Sequence, residues 1–141
     1  MVQVFNLHDT DRLTEWKRFR DSIETSARPL ADVAEYWSHA PFVNRYLDPN
    51  NPQAWPGPWK LILDGTFDDL AISLGMLYTI QLTDRFKNCL FEIYQTTDNE
   101  KRSFLMIDNN SILNWQYREV KDSSDVENKD FTLVWTSSSK V

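Results

Sequence analysis

The sequence predicts an α+β domain in which N-terminal helices and one buried central helix pack on a roughly four-stranded antiparallel sheet. Apolar residues recur at helical spacing in the first half of the chain, and after Asp84 they recur at the two-residue spacing of strands. Helices followed by strands are typical of α+β folds. At 141 residues the chain, 1–141, fits a single domain with its own core.

Two helices are predicted at the start of the chain. Asp9 or Thr10 can cap the first helix, which runs to about Ser26. Pro29 suits the first turn of a second helix that ends near Ser38. The apolar stripe of the first helix consists of Leu13, Trp16, Phe19, Ile23 and Ala27.

A proline-rich section, residues 40–58, separates these helices from the central one. Its five prolines forbid regular helix. Trp55 and Trp59 flank Pro56-Gly57-Pro58, which predicts a stiff loop held to the core by its indoles.

The central helix is predicted from Thr66, as its cap, to Thr83. Pro58 opens a short helix before it, and Gly65 ends that short helix. The central helix is apolar on most sides, which indicates a helix surrounded by other elements. Gly75 costs about 1 kcal/mol there against alanine, so it marks a close approach by a neighbouring element.

The second half of the chain predicts a meander of strands. The predicted strands are residues 88–97, 103–107, 111–120 and 131–136. Two sets of alternating residues are each expected on one face, namely Leu113, Trp115 and Tyr117, and Phe131, Leu133 and Trp135. Residues 121–130 are predicted to be a mobile loop, and 1–8 and 137–141 frayed ends.

Composition and charge exclude several function classes. A net charge of −6 repels phosphate backbones, so no nucleic-acid partner is predicted. The single cysteine, Cys89, excludes a disulfide framework and a Cys-rich metal site, and it suits a reducing compartment. No signal peptide is expected, and acidic residues interrupt the longest apolar run, so we expect a cytoplasmic protein with no membrane partner. No phosphate-binding, dinucleotide-binding or nucleophile-elbow motif is present, so no cofactor is predicted.

Three aspartates, Asp64, Asp68 and Asp69, surround the Gly65 turn and are the candidate catalytic residues. Converging carboxylates can bind a divalent cation or act as acid and base. Their spacing matches no calcium loop, so no metal ligands are assigned. The competing interpretation is helix capping, since the helix dipole favours acids in a first turn.

Four aromatic residues are candidates for a sugar- or peptide-binding surface: Trp55, Trp59, Trp115 and Tyr117. Aromatic residues at alternating strand positions also form the core face of a sheet. Cys89, His8 and His39 show no spacing of a metal site or a catalytic pair and are interpreted as structural. Asp108-Asn109-Asn110 is interpreted as a hairpin turn.

The segment from Pro58 to Thr83, with the pattern PWxLIxxGxFDDxAxxLGMxYTxxLT, resembles small uncharacterised proteins of tailed bacteriophages and marine metagenomes. The resemblance covers about residues 32–115 and implies no activity.

The order of a glycine, a short turn, a long buried helix and antiparallel strands is similar to the core of the transglutaminase-like superfamily. There a Gly-x-Cys segment starts the helix, and histidine and aspartate follow on strands. By this resemblance, the position of the cysteine falls near Phe67 or Asp68, and Asp108 is the residue that could stand for the acid. The sequence has no histidine after His39. The resemblance therefore implies that the chain has this fold but lacks the thiol-dependent hydrolysis.

Three hypotheses follow from the sequence. The first is a non-catalytic accessory or interaction protein that binds a protein partner or itself and is of phage origin. The second is an enzyme or metal-binding protein that uses the three aspartates. The third is a carbohydrate- or peptide-binding module built on the aromatic residues.

Overall fold

The computed structural model of the chain describes residues 5, 7, 9–43, 47–97, 101–115, 118–126 and 131–137. Within these residues, four helices and a five-stranded antiparallel sheet form an α+β fold. The predicted class is confirmed, with one strand more than expected. The predicted loose ends and the predicted loop 121–130 lie partly outside the described residues.

The helices follow the proline and glycine signals of the sequence. They are α1, Asp9–Ile23; α2, Pro29–Trp37; α3, Pro58–Asp64; and α4, Asp69–Gln81. Gly65 follows α3 with φ 69°, a left-handed conformation that favours glycine. Arg12 of α1 donates from Nη1 to the carbonyls of Ile62 and Leu63, each at 3.0 Å, and so satisfies acceptors at the end of α3.

α4 begins two residues later than predicted, and its cap is Asp68 instead of Thr66. The backbone before it is extended, because Phe67 forms a parallel bridge with Phe42. Asp68 is also extended, with φ −89° and ψ −175°, and its Oδ1 accepts from the Ala71 amide at 2.8 Å.

The predicted burial of the central helix is confirmed. Nine of its residues are buried: Leu70, Ala71, Ser73, Leu74, Gly75, Met76, Leu77, Thr79 and Ile80. Gly75 marks the close approach that the sequence predicts, since a Cβ there would lie 2.2 Å from the Trp37 ring. The indoles of Trp16 and Trp37 each donate to Oγ1 of Thr79 at 3.0 Å. We call these four residues, Trp16, Trp37, Gly75 and Thr79, the tryptophan clamp.

The sheet runs in the order β4-β3-β2-β1-β5. Its strands are β1, Phe91–Thr96; β2, Ser103–Ile107; β3, Ser111–Leu113; β4, Val120–Asp122; and β5, Phe131–Thr136. The predicted strand 111–120 is two short strands, because Asn114 and Arg118 take positive φ of 68° and 64° and interrupt the extended backbone.

The two faces of the sheet have separate apolar clusters. α4 packs on the inner face, against β1 and β2. The outer cluster is formed by Phe104, Met106 and Ile112, with Tyr94, Trp115, Val126 and Phe131 against it.

Both predicted sets of alternating residues are wrong. Leu113 lies in the inner core and Trp115 packs on the outer cluster, since the backbone turns at Asn114 between them. Phe131 packs on the outer cluster and Trp135 on the inner core, because the register of β5 shifts between their pairing partners on β1.

Candidate functional site

The three candidate aspartates do not converge on one point, because each has its own partners. Asp64, the last residue of α3, pairs with Lys60 one turn earlier at 3.3 Å. Asp68 is buried and caps α4, and its Oδ2 accepts from the Leu47 amide at 2.9 Å. The capping interpretation therefore fits Asp68, whereas Asp69 joins a different set of contacts.

Asp69 ties the start of α4 to the sheet. Its Oδ2 accepts from the backbone amide of Ser103, the first residue of β2. Its Oδ1 accepts from Nδ2 of Asn114 at 3.1 Å. Both carboxylate oxygens are thus engaged inside the molecule.

Asn114 follows β3 and gathers the start of α4 and the start of β2 around its amide. Nδ2 of Asn114 has four acceptors within hydrogen-bond distance. Besides Oδ1 of Asp69, they are the Asp69 carbonyl at 3.2 Å, Ser73 Oγ at 3.0 Å and the Ser103 carbonyl at 3.1 Å. The sequence offered one signal for this residue: asparagine is among the side chains that tolerate positive φ. We call Asp68, Asp69, Ser103 and Asn114 the acidic start of α4.

Burial raises the pKa of the Asp69 carboxyl above its ordinary 3.8. The hydrogen bonds from Ser103 and Asn114 and the positive charge of Arg102 lower the pKa, and burial outweighs them. The carboxylate is therefore held at a site that disfavours its charge.

A cleft of about 330 Å³ opens beside Asp69. It is bounded by α2, the segment that follows α2, α4 and the ends of β2 and β3. Its lining is mostly apolar: Ala34, Trp37, Ser38, Ala40, Phe42, Asp69, Ile72, Met76, Arg102 and Asn114. Phe42 is 60% exposed, the largest exposed fraction among the large apolar side chains described.

The aromatic candidates lie with separate partners. Trp55 packs against the core, and its Nε1 donates to the Asp48 carbonyl at 2.8 Å within the proline-rich section. Trp59 is 52% exposed and meets Trp16 edge-on at 5.6 Å. Trp115 meets Phe104 on the outer face of the sheet at 5.1 Å. The fourth candidate, Tyr117, lies outside the described residues.

The Cys89 thiol and the His39 imidazole have separate surroundings in the structure. Burial, together with Asp108, raises the pKa of the Cys89 thiol to about 11, so it is protonated near neutral pH. His39 lies 3.4 Å from Glu35 at the end of α2, and His8 lies outside the described residues. Asp108 accepts from the Leu90 amide at 2.7 Å and takes φ 51° in the turn after β2. In the part of the chain that the structure describes, no three acidic, histidine or cysteine side chains group to hold a metal ion.

Comparison with known proteins bears on the fold. No family model matches the chain, and no curated protein matches it. Two solved structures of Legionella pneumophila LapG are similar. The first has a TM-score of 0.67 at 17% identity, and the second, calcium-bound, has 0.65 at 14%. Each match covers 92% of this chain and 76% of LapG.

LapG has the fold of the transglutaminase-like cysteine proteases. The similarity therefore supports the transglutaminase-like fold that the element order predicts. At these identities it shows the fold alone. None of the matches bears on the predicted resemblance to phage proteins.

The start of α4 in this chain carries no thiol. Phe67 is fully buried against Phe5 and Trp37, and Asp68 is the helix cap. The residue that reaches the helix start from the end of a strand is Asn114, and Asp108, which the resemblance suggested for the acid, does not line the cleft.

Among the described residues, no helix is both long and apolar enough to cross a membrane.

Proposed function

We propose that this chain is a non-catalytic protein-interaction module that binds a peptide segment of a partner in the cleft beside Asp69. The observation that carries this proposal is the contrast within one cleft. The polar groups at its end are engaged with one another, while Phe42 at its rim stays 60% exposed beside Trp37, Ile72 and Met76.

An exposed aromatic ring beside an apolar cleft is typical of a recognition surface, because a partner's side chain can bury it. The cleft is of the size that holds one or two side chains rather than a whole domain surface. An extended segment suits its position, since the neighbouring residues 41–43 are themselves extended and bonded to Phe67 through the Val43 amide at 2.8 Å.

A displayed library of random peptides, selected on the immobilised protein, tests this proposal. We expect enriched peptides that bind the wild-type protein and lose at least about tenfold in affinity with Phe42→Ser. Leu133→Ser is the matched control, because Leu133 is a 49% exposed apolar residue on β5 that does not line the cleft. Absence of enriched peptides, or equal effects of the two variants, would contradict the proposal.

An enzyme that uses a carboxylate is the second candidate function. It is favoured by the raised pKa of Asp69 in a cleft beside a cationic side chain, since such shifts are common at active sites. Both carboxylate oxygens of Asp69 already accept hydrogen bonds within the molecule, which favours the interaction module over the enzyme. A turnover that Asp69→Asn abolishes while peptide binding persists would select the enzyme.

The phage origin and the cytoplasmic location that the sequence predicts stay predictions. Self-association is the alternative form of the interaction hypothesis, and light scattering on the purified protein measures it directly.

A further inference from the structure

The cleft beside Asp69 contains two charged side chains with different roles. Asp69 has donors on both carboxylate oxygens, from the Ser103 amide and from Asn114. Each oxygen thus already accepts one hydrogen bond within the molecule and keeps a second lone pair. Arg102, the other charged residue of the lining, is only partly engaged.

The guanidinium of Arg102 is anchored through one nitrogen. Nη2 donates to the carbonyls of Asn114, at 3.3 Å, and Trp115. Its Cζ lies 5.8 Å from the centre of the Trp115 ring. Within the described residues, Nε and Nη1 have no hydrogen-bond partner, and neither is a buried atom without one.

The backbone of Arg102 is fixed as well. Its amide donates to Thr96 Oγ1 at 2.8 Å, and its carbonyl accepts from the Thr96 amide at 2.8 Å. Because both its backbone and its guanidinium are held by hydrogen bonds, the Arg102 side chain is preorganised, and a bound anion need not order it. The Nε and Nη1 N–H groups lie on different edges of the guanidinium, so a carboxylate oxygen can accept a charge-assisted hydrogen bond from either of them.

Within the cleft, the Asp69 carboxylate partly offsets this cation, whose positive charge lowers the pKa of Asp69. The charges at the rim compensate each other. Arg118 lies 3.4 Å from Glu35, and each compensates the other next to Ser38. The net charge of −6 disfavours an anionic ligand at long range. Recognition therefore needs both the local pair with Arg102 and burial of an apolar side chain.

We propose that the peptide bound in this cleft carries a carboxylate that pairs with Arg102, next to an apolar residue that packs on Phe42, Ile72 and Met76. This inference rests on the proposed function and specifies its ligand class. The carboxylate is that of an aspartate or glutamate side chain, because the cleft lies beside the extended residues 41–43 and suits an internal extended segment.

The test uses the peptides that the wild-type protein selects from the displayed library. We expect an acidic group beside an apolar residue in the enriched sequences. One such peptide is then synthesised with its acidic side chain replaced by the amide, and separately with its terminal carboxylate amidated. Replacing the acidic side chain should weaken binding at least about tenfold by calorimetry, and amidating the terminus should weaken it by less than about twofold. The reverse result would overturn the assignment to a side-chain carboxylate.

Arg102→Gln should weaken binding of the acidic peptide by a similar factor and binding of the amide peptide by less than about twofold. This difference is expected when the two groups contact each other directly. Arg18→Gln is the matched control, since Arg18 is an exposed arginine on α1 paired with Glu15. The changes made in the peptide need no protein variant, so they decide the matter even if Arg102→Gln does not fold.

Each remaining outcome is decisive. Enriched peptides that depend on Phe42 but bind equally well without any carboxylate would overturn this inference and leave the proposed function intact. A selection that enriches no peptide would overturn both.

Discussion

The two halves of α4 are held in opposite ways. Its second half is sealed by the tryptophan clamp, in which one hydroxyl accepts from two indoles and a glycine admits an aromatic ring. Its first half is held by the acidic start of α4, where side chains form hydrogen bonds with backbone groups of the proline-rich section and the sheet. The cleft opens beside the first half.

We propose that this difference lets one helix serve both stability and recognition. The rings packed around a satisfied hydroxyl make the second half rigid, and one of them, Trp37, also lines the cleft. The hydrogen bonds of Asp69 and Asn114 hold the sheet near the start of the helix, and the cleft opens beside them. Four predictions test this comparison, from the largest expected effect to the smallest.

Gly75→Ala should destabilise the protein most, by about 3 kcal/mol, because the new Cβ would lie 2.2 Å from the Trp37 ring. The ring cannot swing away without breaking its bond to Thr79. Urea denaturation measures the change. Gly57→Ala is the matched control, since nothing lies within 4 Å of its Cβ, and equal losses for the two variants would contradict the close packing.

Thr79→Val should cost about 2 kcal/mol, since it keeps the shape of the side chain but leaves two buried indole N–H groups without an acceptor. Thr79→Ser keeps the hydroxyl and should recover part of this loss. The same unfolding assay compares them. If valine proved as stable as serine, the shared hydroxyl would not matter to the clamp.

Asp68→Ala should cost about 1 kcal/mol, the usual value of a helix cap. The amides of Ala71 and Leu47 lose their acceptor together. Asp64→Ala removes a surface pair with Lys60 and should change the unfolding free energy by less than about 0.5 kcal/mol. A larger loss for Asp64 than for Asp68 would invert the assignment of roles.

Asp69→Asn should change the unfolding free energy at neutral pH by less than Asp68→Ala does, below about 1 kcal/mol, because removing a buried charge opposes the loss of charge-assisted hydrogen bonds. Its signature is a pH dependence. The folded state raises the pKa of Asp69, so it holds the proton more tightly than the unfolded chain does. The wild type should therefore lose stability relative to the variant as the pH rises from 3.8 through the folded pKa.

That difference is measured by urea denaturation of both proteins at a series of pH values from below 3.8 to neutral. A wild-type advantage that grows with pH would mean that the hydrogen bonds outweigh burial at Asp69, contrary to the present assignment.

Local signals of the sequence predict the helices well. Proline at the starts of α2 and α3, and glycine after α3, mark real boundaries. The interpretation of Gly75 as a close approach is also confirmed. These features depend on backbone preferences that each residue carries with it.

The site depends on partners that are distant in the chain, so the sequence did not show it. Asn114 meets a residue 45 positions earlier, and the two indoles that share Thr79 are 63 and 42 positions from it. The break of the third predicted strand at Asn114 depends on these same contacts. The sequence predicts the aspartate cluster as a candidate site, but it does not distinguish Asp69 from its neighbours.

The central claim is that the start of α4 organises a binding cleft and performs no chemistry. The most direct test incubates the wild-type protein with a selected peptide and follows both binding, by calorimetry, and the masses of peptide and protein. We predict binding with the peptide and the protein intact at every time point. A cleaved peptide or a covalently modified protein, lost in Asp69→Asn, would contradict the claim.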